Sequence, residues 1–146
     1  MSPAAEAGYS GTPLARKLGI REGDTIAVLG APEGFDLPDL PDGVEVRGAA
    51  RGRHDVVLSF HTRRADLERR FATLCRATEP DGGLWIAWPK RASGVPTDIT
   101  EDTVREVALP TGMVDNKVCA IDATWSGLRL VLRKELRPPV TPRRRG

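Results

Sequence analysis

The stretch from Asp55 to Pro89 constrains this chain more than any other. Val56-Val57-Leu58-Ser59-Phe60 is a short, continuous apolar run, the pattern of a strand buried on both faces. The residues after Thr62 change period: Leu67, Phe71, Leu74, Cys75 and Thr78 recur at the spacing that turns one face of a helix to a core. Pro80-Asp81-Gly82-Gly83 then reads as a turn, and Leu84-Trp85-Ile86-Ala87-Trp88 as a second buried strand. Strand, helix and strand in so short a span imply two parallel strands joined by a helical crossover.

The flanking sequence extends this unit. Thr12-Pro13 reads as the start of a helix that carries Leu14 and Leu18 on one face and stops at Gly19. Thr25 to Leu29 reads as a buried strand, residues 30–42 as loop, and Val44-Glu45-Val46 as a peripheral strand. Beyond Pro89 a loop leads to a helix capped by Thr100, with Glu101 and Asp102 in its favourable first turn. Two strands, Lys117 to Ile121 and Leu128 to Leu132, close the pattern as a hairpin, with Leu128 to Leu132 expected at an exposed sheet edge. The fold class is α/β: a single three-layer Rossmann-like domain with a mainly parallel sheet and an antiparallel C-terminal strand.

Residues 1–133 are read as that domain and residues 134–146 as a basic, Pro-rich disordered tail. Residues 133–146 hold six basic and one acidic residue, which leaves 16 basic and 19 acidic residues in 1–132, a body of net charge −3. A mildly acidic body argues against a dedicated nucleic-acid binder and leaves only nonspecific contact with polyanions through the tail. No apolar run approaches the roughly 20 residues of a membrane span. No signal-peptide pattern opens the chain, so a cytoplasmic protein is expected. The two cysteines, Cys75 and Cys119, fall on apolar stripes and read as reduced packing residues. His54 reads as part of a basic loop with Arg51 and Arg53. Without CxxC, HExxH, GxSxG or a Walker loop, neither a metal nor a cofactor is expected.

Ligands of open α/β sheets bind beyond the carboxyl ends of the strands. The pattern gathers there His61, Thr62, Arg63 and Arg64 at a helix start, Lys90 after the neighbouring strand, and Asp122 and Trp125 in the hairpin joint. The free N–H groups of a helix start favour an anion, and two arginines in a first turn are unfavourable without one. His61, Thr62, Arg63, Arg64 and Lys90 therefore form either a phosphate or carboxylate site or a solvated basic rim. Trp125 either stacks on a flat ligand or partner or covers the end of the core. Asp122 either pairs with Lys90 or Lys117 or acts as a base. The loop Lys90 to Thr100 is either a lid or an ordinary turn into a helix, and Tyr9 in Gly8-Tyr9-Ser10-Gly11 is expected to dock the terminus.

The order of elements over residues 55–133, with its EPDGGLWIAWP turn and strand, resembles class I methyltransferases. That family implies a glycine-rich loop after its first strand and an acid at the end of its second, to hold S-adenosylmethionine. Here the corresponding positions read Gly30-Ala31-Pro32-Glu33-Gly34 and Arg47. GYSGTPLARKLGI, WPKRASGVPTDIT and VDNKVCAIDATWSGLRLV also resemble a small bacterial family of unknown function, which implies a Rossmann-like fold and no activity. The first reading is a non-catalytic module that binds a small anionic ligand or a protein partner at the carboxyl edge. A small enzyme at that edge, or an adaptor using Trp125 and the tail, are the alternatives; a homodimer through the exposed edge strand is possible.

Overall fold

The computed structural model describes residues 12–138. Six strands form one sheet: β1 (Thr25–Leu29), β2 (Glu45–Arg47), β3 (His54–Phe60), β4 (Thr78–Pro89), β5 (Met113–Ala120) and β6 (Trp125–Leu132), in the order β2-β1-β3-β4-β6-β5. β2, β1, β3 and β4 run parallel, whereas β6 is antiparallel to both β4 and β5. Among the described residues three α-helices accompany them: α1 (Leu14–Lys17), α2 (Arg64–Arg76) and α3 (Glu101–Ala108). The α/β Rossmann-like class expected from the sequence is the class observed.

The residues of β3 alternate between two cores, as strand geometry requires. Val57 faces α2 and α3, packing with Leu67, Phe71 and Leu74 of α2 and Val104 and Ala108 of α3. Val56, Leu58 and Phe60 face the other way, toward Ala15 of α1, Leu18 at its C-cap, and Trp85. Among the described residues, Phe35, Leu37 and Leu40 of the loop after β1 complete the cover of that second face beside α1.

Several local expectations change. β6 lies inside the sheet and β5 forms its edge, so the exposed edge predicted at Leu128 to Leu132 belongs to Met113–Ala120. The Pro80–Gly83 turn is absorbed into β4: His54 pairs with Thr78 and Val56 with Gly83, so the chain bulges between two paired points. Thr62 does not cap α2; Arg63 holds the N-cap position and makes no side-chain cap. Thr12 does not cap α1 either, since Pro13 is its N-cap residue and the Pro13 carbonyl accepts from the Arg16 and Lys17 N–H groups. His54 is a fully buried strand residue, its backbone N–H and its Nδ1 both on the Ala77 carbonyl at 2.8 Å. Thr100 does cap α3, in a reciprocal box with Thr103.

Within the segment assigned to the tail, Lys134–Leu136 form a 3-10 turn and the Arg137 Nε donates to the Leu132 carbonyl at 2.9 Å. Tyr9 and residues 139–146 lie outside the described residues. Among the described residues no helix is long and apolar enough to cross a membrane.

Candidate functional site

The carboxyl edge of the sheet is where the chain turns polar, and the fold brings the expected residues to it in two separate groups. The first surrounds His61, just past β3. Ser59 and His61 lie two residues apart on the α2 side of the sheet, both buried. Asp66, in the first turn of α2, comes down over them. Ser59 Oγ lies 2.8 Å from His61 Nε2, and His61 Nδ1 lies 2.7 Å from Asp66 Oδ2. The carboxylate fixes the proton on Nδ1, so neutral His61 donates to Asp66 and accepts from the Ser59 hydroxyl. Burial holds the imidazole below its ordinary pKa, and the Asp66 carboxylate opposes that shift without reversing it. The order serine, histidine, aspartate is that of a hydrolase triad, yet Ser59 is 1% exposed and offers a substrate carbonyl no approach. The network instead ties the end of β3 to α2.

Sequence reasoning singled out His61 and missed Ser59 and Asp66. The period-2 spacing of Ser59 and His61 was a usable signal, and so was an acid in the first turn of the following helix.

The helix start expected to hold an external anion already holds an internal one. The Arg64 N–H donates to Asp98 Oδ1 at 2.7 Å, across 34 positions of sequence. The Thr97 hydroxyl donates to the Thr62 carbonyl at 2.7 Å, which latches the same loop. Arg64 spreads its guanidinium between Glu68 and Glu106, each at 2.8 Å, and these partners raise its pKa. Arg63 is exposed.

The second group lies past β4. Lys90 Nζ donates to the Asp122 carbonyl at 2.8 Å, while the Asp122 carboxylate accepts from the Thr124 and Trp125 N–H groups, both at 2.8 Å. Asp122 thus shapes the turn between β5 and β6, and it meets Lys90 through its backbone. Trp125 is 8% exposed and packs edge-on against Phe60, centroids 5.1 Å apart at 85°. Beside this turn opens a cleft of about 540 Å³, walled by Trp88, Lys90, Arg91, Thr97, Thr100 and Ser126 among others. Lys90 and much of the Lys90–Thr100 loop singled out from the sequence line it, whereas His61, Thr62, Arg63, Arg64, Asp122 and Trp125 do not. Among the described residues no group of His, Cys, Asp or Glu is arranged to hold a metal ion.

No protein-family model matches the sequence, and no curated protein matches it. Solved structures do match the fold. A SAM-dependent methyltransferase from Aquifex aeolicus is similar with a TM-score of 0.64 at 15% identity, over 88% of this chain and 93% of that one. The fibrillarin pre-rRNA processing protein of Methanococcus jannaschii matches with 0.57 at 14% identity, over 78% and 68%. A TehB-like SAM-dependent methyltransferase from Corynebacterium glutamicum matches with 0.53 at 14%, over 88% and 92%. The chain has a methyltransferase-like Rossmann fold.

Among the described residues, the crevice departs from the glycine-rich loop and strand-end acid that the sequence resemblance implies for S-adenosylmethionine. The strand order reverses between β1 and β3, which makes their carboxyl ends the expected crevice. Gly30 follows β1 with φ of +68°, and a Cβ there would stand 3.1 Å from the Phe60 carbonyl, so its open side is taken by the neighbouring strand. Phe35 folds back onto Phe60, centroids 5.0 Å apart. β2 ends in Arg47, whose Nε bonds Glu45 Oε2 at 2.8 Å, where an acid would be needed for the ribose.

Proposed function

We propose that this chain is a methyltransferase-fold module that performs no methyl transfer and binds a small anionic ligand in the cleft beyond β4. The carrying observation is a contrast at the carboxyl edge: past β1, Gly30 abuts the Phe60 carbonyl and Phe35 packs on Phe60, while the cleft past β4 opens beside Lys90 and Arg91. In this reading Lys90 and Arg91 supply charge, the Thr100 and Ser126 hydroxyls orient the ligand, and Trp88 forms an apolar wall. The Lys90–Asp122 bond fixes the ammonium before the ligand arrives, which reduces the ordering cost of binding. Likeness to the small bacterial family of unknown function belongs to the same proposal and adds no activity.

A SAM-using enzyme is the second reading, favoured by the fold neighbours. A thermal-shift screen against S-adenosylmethionine, nucleotides, phosphorylated metabolites and carboxylates separates the two. Arg91→Ala is the companion variant, because Arg91 is exposed and its loss leaves the Lys90 tie intact. A ligand at about a hundredfold excess over its Kd adds about 2.7 kcal/mol. The reading expects an anion to stabilise the wild-type protein and Arg91→Ala to lose much of that gain. Stabilisation by S-adenosylmethionine, unchanged in Arg91→Ala, overturns it in favour of the enzyme.

A further inference from the structure

A groove of about 390 Å³ opens at the amino edge of the parallel strands, on the side of the sheet that α2 covers. The topology makes this edge a meeting point: α2 ends here, β4 and β5 begin here, and antiparallel β6 finishes here. Its apolar lining comes from Ala72 and Cys75 of α2, from Met113 at the start of β5 and from Leu132 at the end of β6.

Two arginines line the same groove, and the backbone brings them there together. The His54 N–H and Nδ1 both donate to the Ala77 carbonyl at 2.8 Å, which ties the start of β3 to the end of α2. Arg53 and Arg76 are the residues just before the two members of that pair. Among the described residues neither guanidinium meets a carboxylate, and Arg76 reaches only the Thr73 hydroxyl, at 3.3 Å. The hydroxyls of the lining are spent on the chain itself: Thr78 donates to the Leu74 carbonyl at 2.9 Å and Thr111 to the Ala108 carbonyl at 2.6 Å. Glu79 also lines the groove without bonding either arginine, so two positive charges and one negative leave a net of +1.

We propose that this groove binds a small monocarboxylic acid with an apolar body, its carboxylate held by Arg53 and Arg76 and its body laid against Cys75, Met113 and Leu132. One carboxylate matches the net charge, whereas a phosphoryl dianion would bring surplus negative charge beside Glu79. Guanidinium forks donate hydrogen bonds to a carboxylate in pairs. Burial of the apolar body supplies the attraction that exposed ion pairs lack by themselves. The site shares no residue with the cleft beyond β4.

The test titrates the full chain at matched ionic strength with octanoate, phenylacetate, octanol and acetate, followed by calorimetry. Saturable binding of one acid per chain is expected, the tighter of octanoate and phenylacetate assigning the body as a chain or a ring. Octanol, which lacks the charge, and acetate, which lacks the body, are each expected to bind at least tenfold more weakly. Arg53→Gln and Arg76→Gln, at exposed positions that leave the fold intact, are each expected to weaken the acid at least fivefold. Ala72→Trp fills the groove from an exposed helix position and is expected to abolish binding. In a Cys119→Ala background Cys75 is the sole thiol, and bound acid is expected to slow its alkylation by iodoacetamide several-fold. Arg91→Ala is expected to leave the affinity unchanged; a loss there places the acid in the cleft beyond β4 and overturns the proposal. It is also overturned by absence of saturable binding of both acids, by octanol binding as tightly as octanoate, by both arginine variants within twofold of wild type, or by Cys75 alkylation at an unchanged rate in the saturated protein.

Discussion

Replacing Asp98 by alanine tests whether the loop before α3 caps α2. The first N–H groups of a helix have no partner within it, and Arg63 supplies no side chain to them. Asp98 reaches one of them, the Arg64 N–H, at 2.7 Å, and places a carboxylate at the positive end of a 13-residue helix. Loss of such a cap costs about 0.5–2 kcal/mol. Asp98 is exposed, so solvent screens the charge contribution, and the expected loss is about 1 kcal/mol. In a domain of this size that lowers Tm by about 2–4 °C. Asp98→Asn keeps the acceptor oxygen and is expected to recover most of the loss. The Thr97–Thr62 bond survives both changes, so the loop stays in place and the cap alone is measured. Urea denaturation at neutral pH reads the difference directly. A loss in Asp98→Ala below ~0.3 kcal/mol would refute the assignment, since even a glycine at a cap costs a few tenths.

Other substitutions probe the remaining links. His61→Leu leaves Ser59 and Asp66 without their partner and is expected to cost about 2–4 kcal/mol in urea denaturation; a loss under ~1 kcal/mol would deny the network its role. Because the folded pKa of His61 lies below the ordinary 6.5, the unfolded chain takes up protons first as pH falls. Its contribution is therefore complete above pH 6.5 and declines as pH drops from there toward the folded pKa, a slope that His61→Leu should remove. Trp125→Ala is expected to cost about 3–5 kcal/mol as a buried aromatic, whereas a surface-stacking tryptophan would change Tm little. Gly82→Ala would bring a Cβ to 2.6 Å from the Asp55 carbonyl, so a loss of about 1–3 kcal/mol is expected by thermal denaturation, against little change for Gly48→Ala in open space.

What could be read from the sequence was what neighbouring residues decide among themselves. The apolar runs of β1, β3 and β4 and the stripe on α2 report the environment of single elements, and Thr100 meets its capping partner three residues away. The site depends on distant pairings that periodicity does not encode. Asp98 is just another turn residue until it meets Arg64, and Phe35 lies in a proline-rich loop with no sign that it returns to Phe60. His54 looked like loop because of the arginines before it, and only the Ala77 carbonyl explains its burial. The sequence left these residues as either an anion site or a solvated basic rim, yet Arg64 pairs with two glutamates and Lys90 with a carbonyl.

The placement of β6 has a consequence for how the molecule is assembled. β5 is made before β6 but touches the rest of the sheet only through it, so for a time β5 has no template. The half from β1 to β4 can collapse with α2 as each strand emerges to pair with one already made, while residues 113–120 must wait for residues 125–132 to bridge them to β4. Loop closure over this detour must precede the contacts that reward it, which makes docking of the terminal hairpin the expected slow step. A chain cut before Trp125 would lose two strands rather than one and bare the β4 flank to other chains.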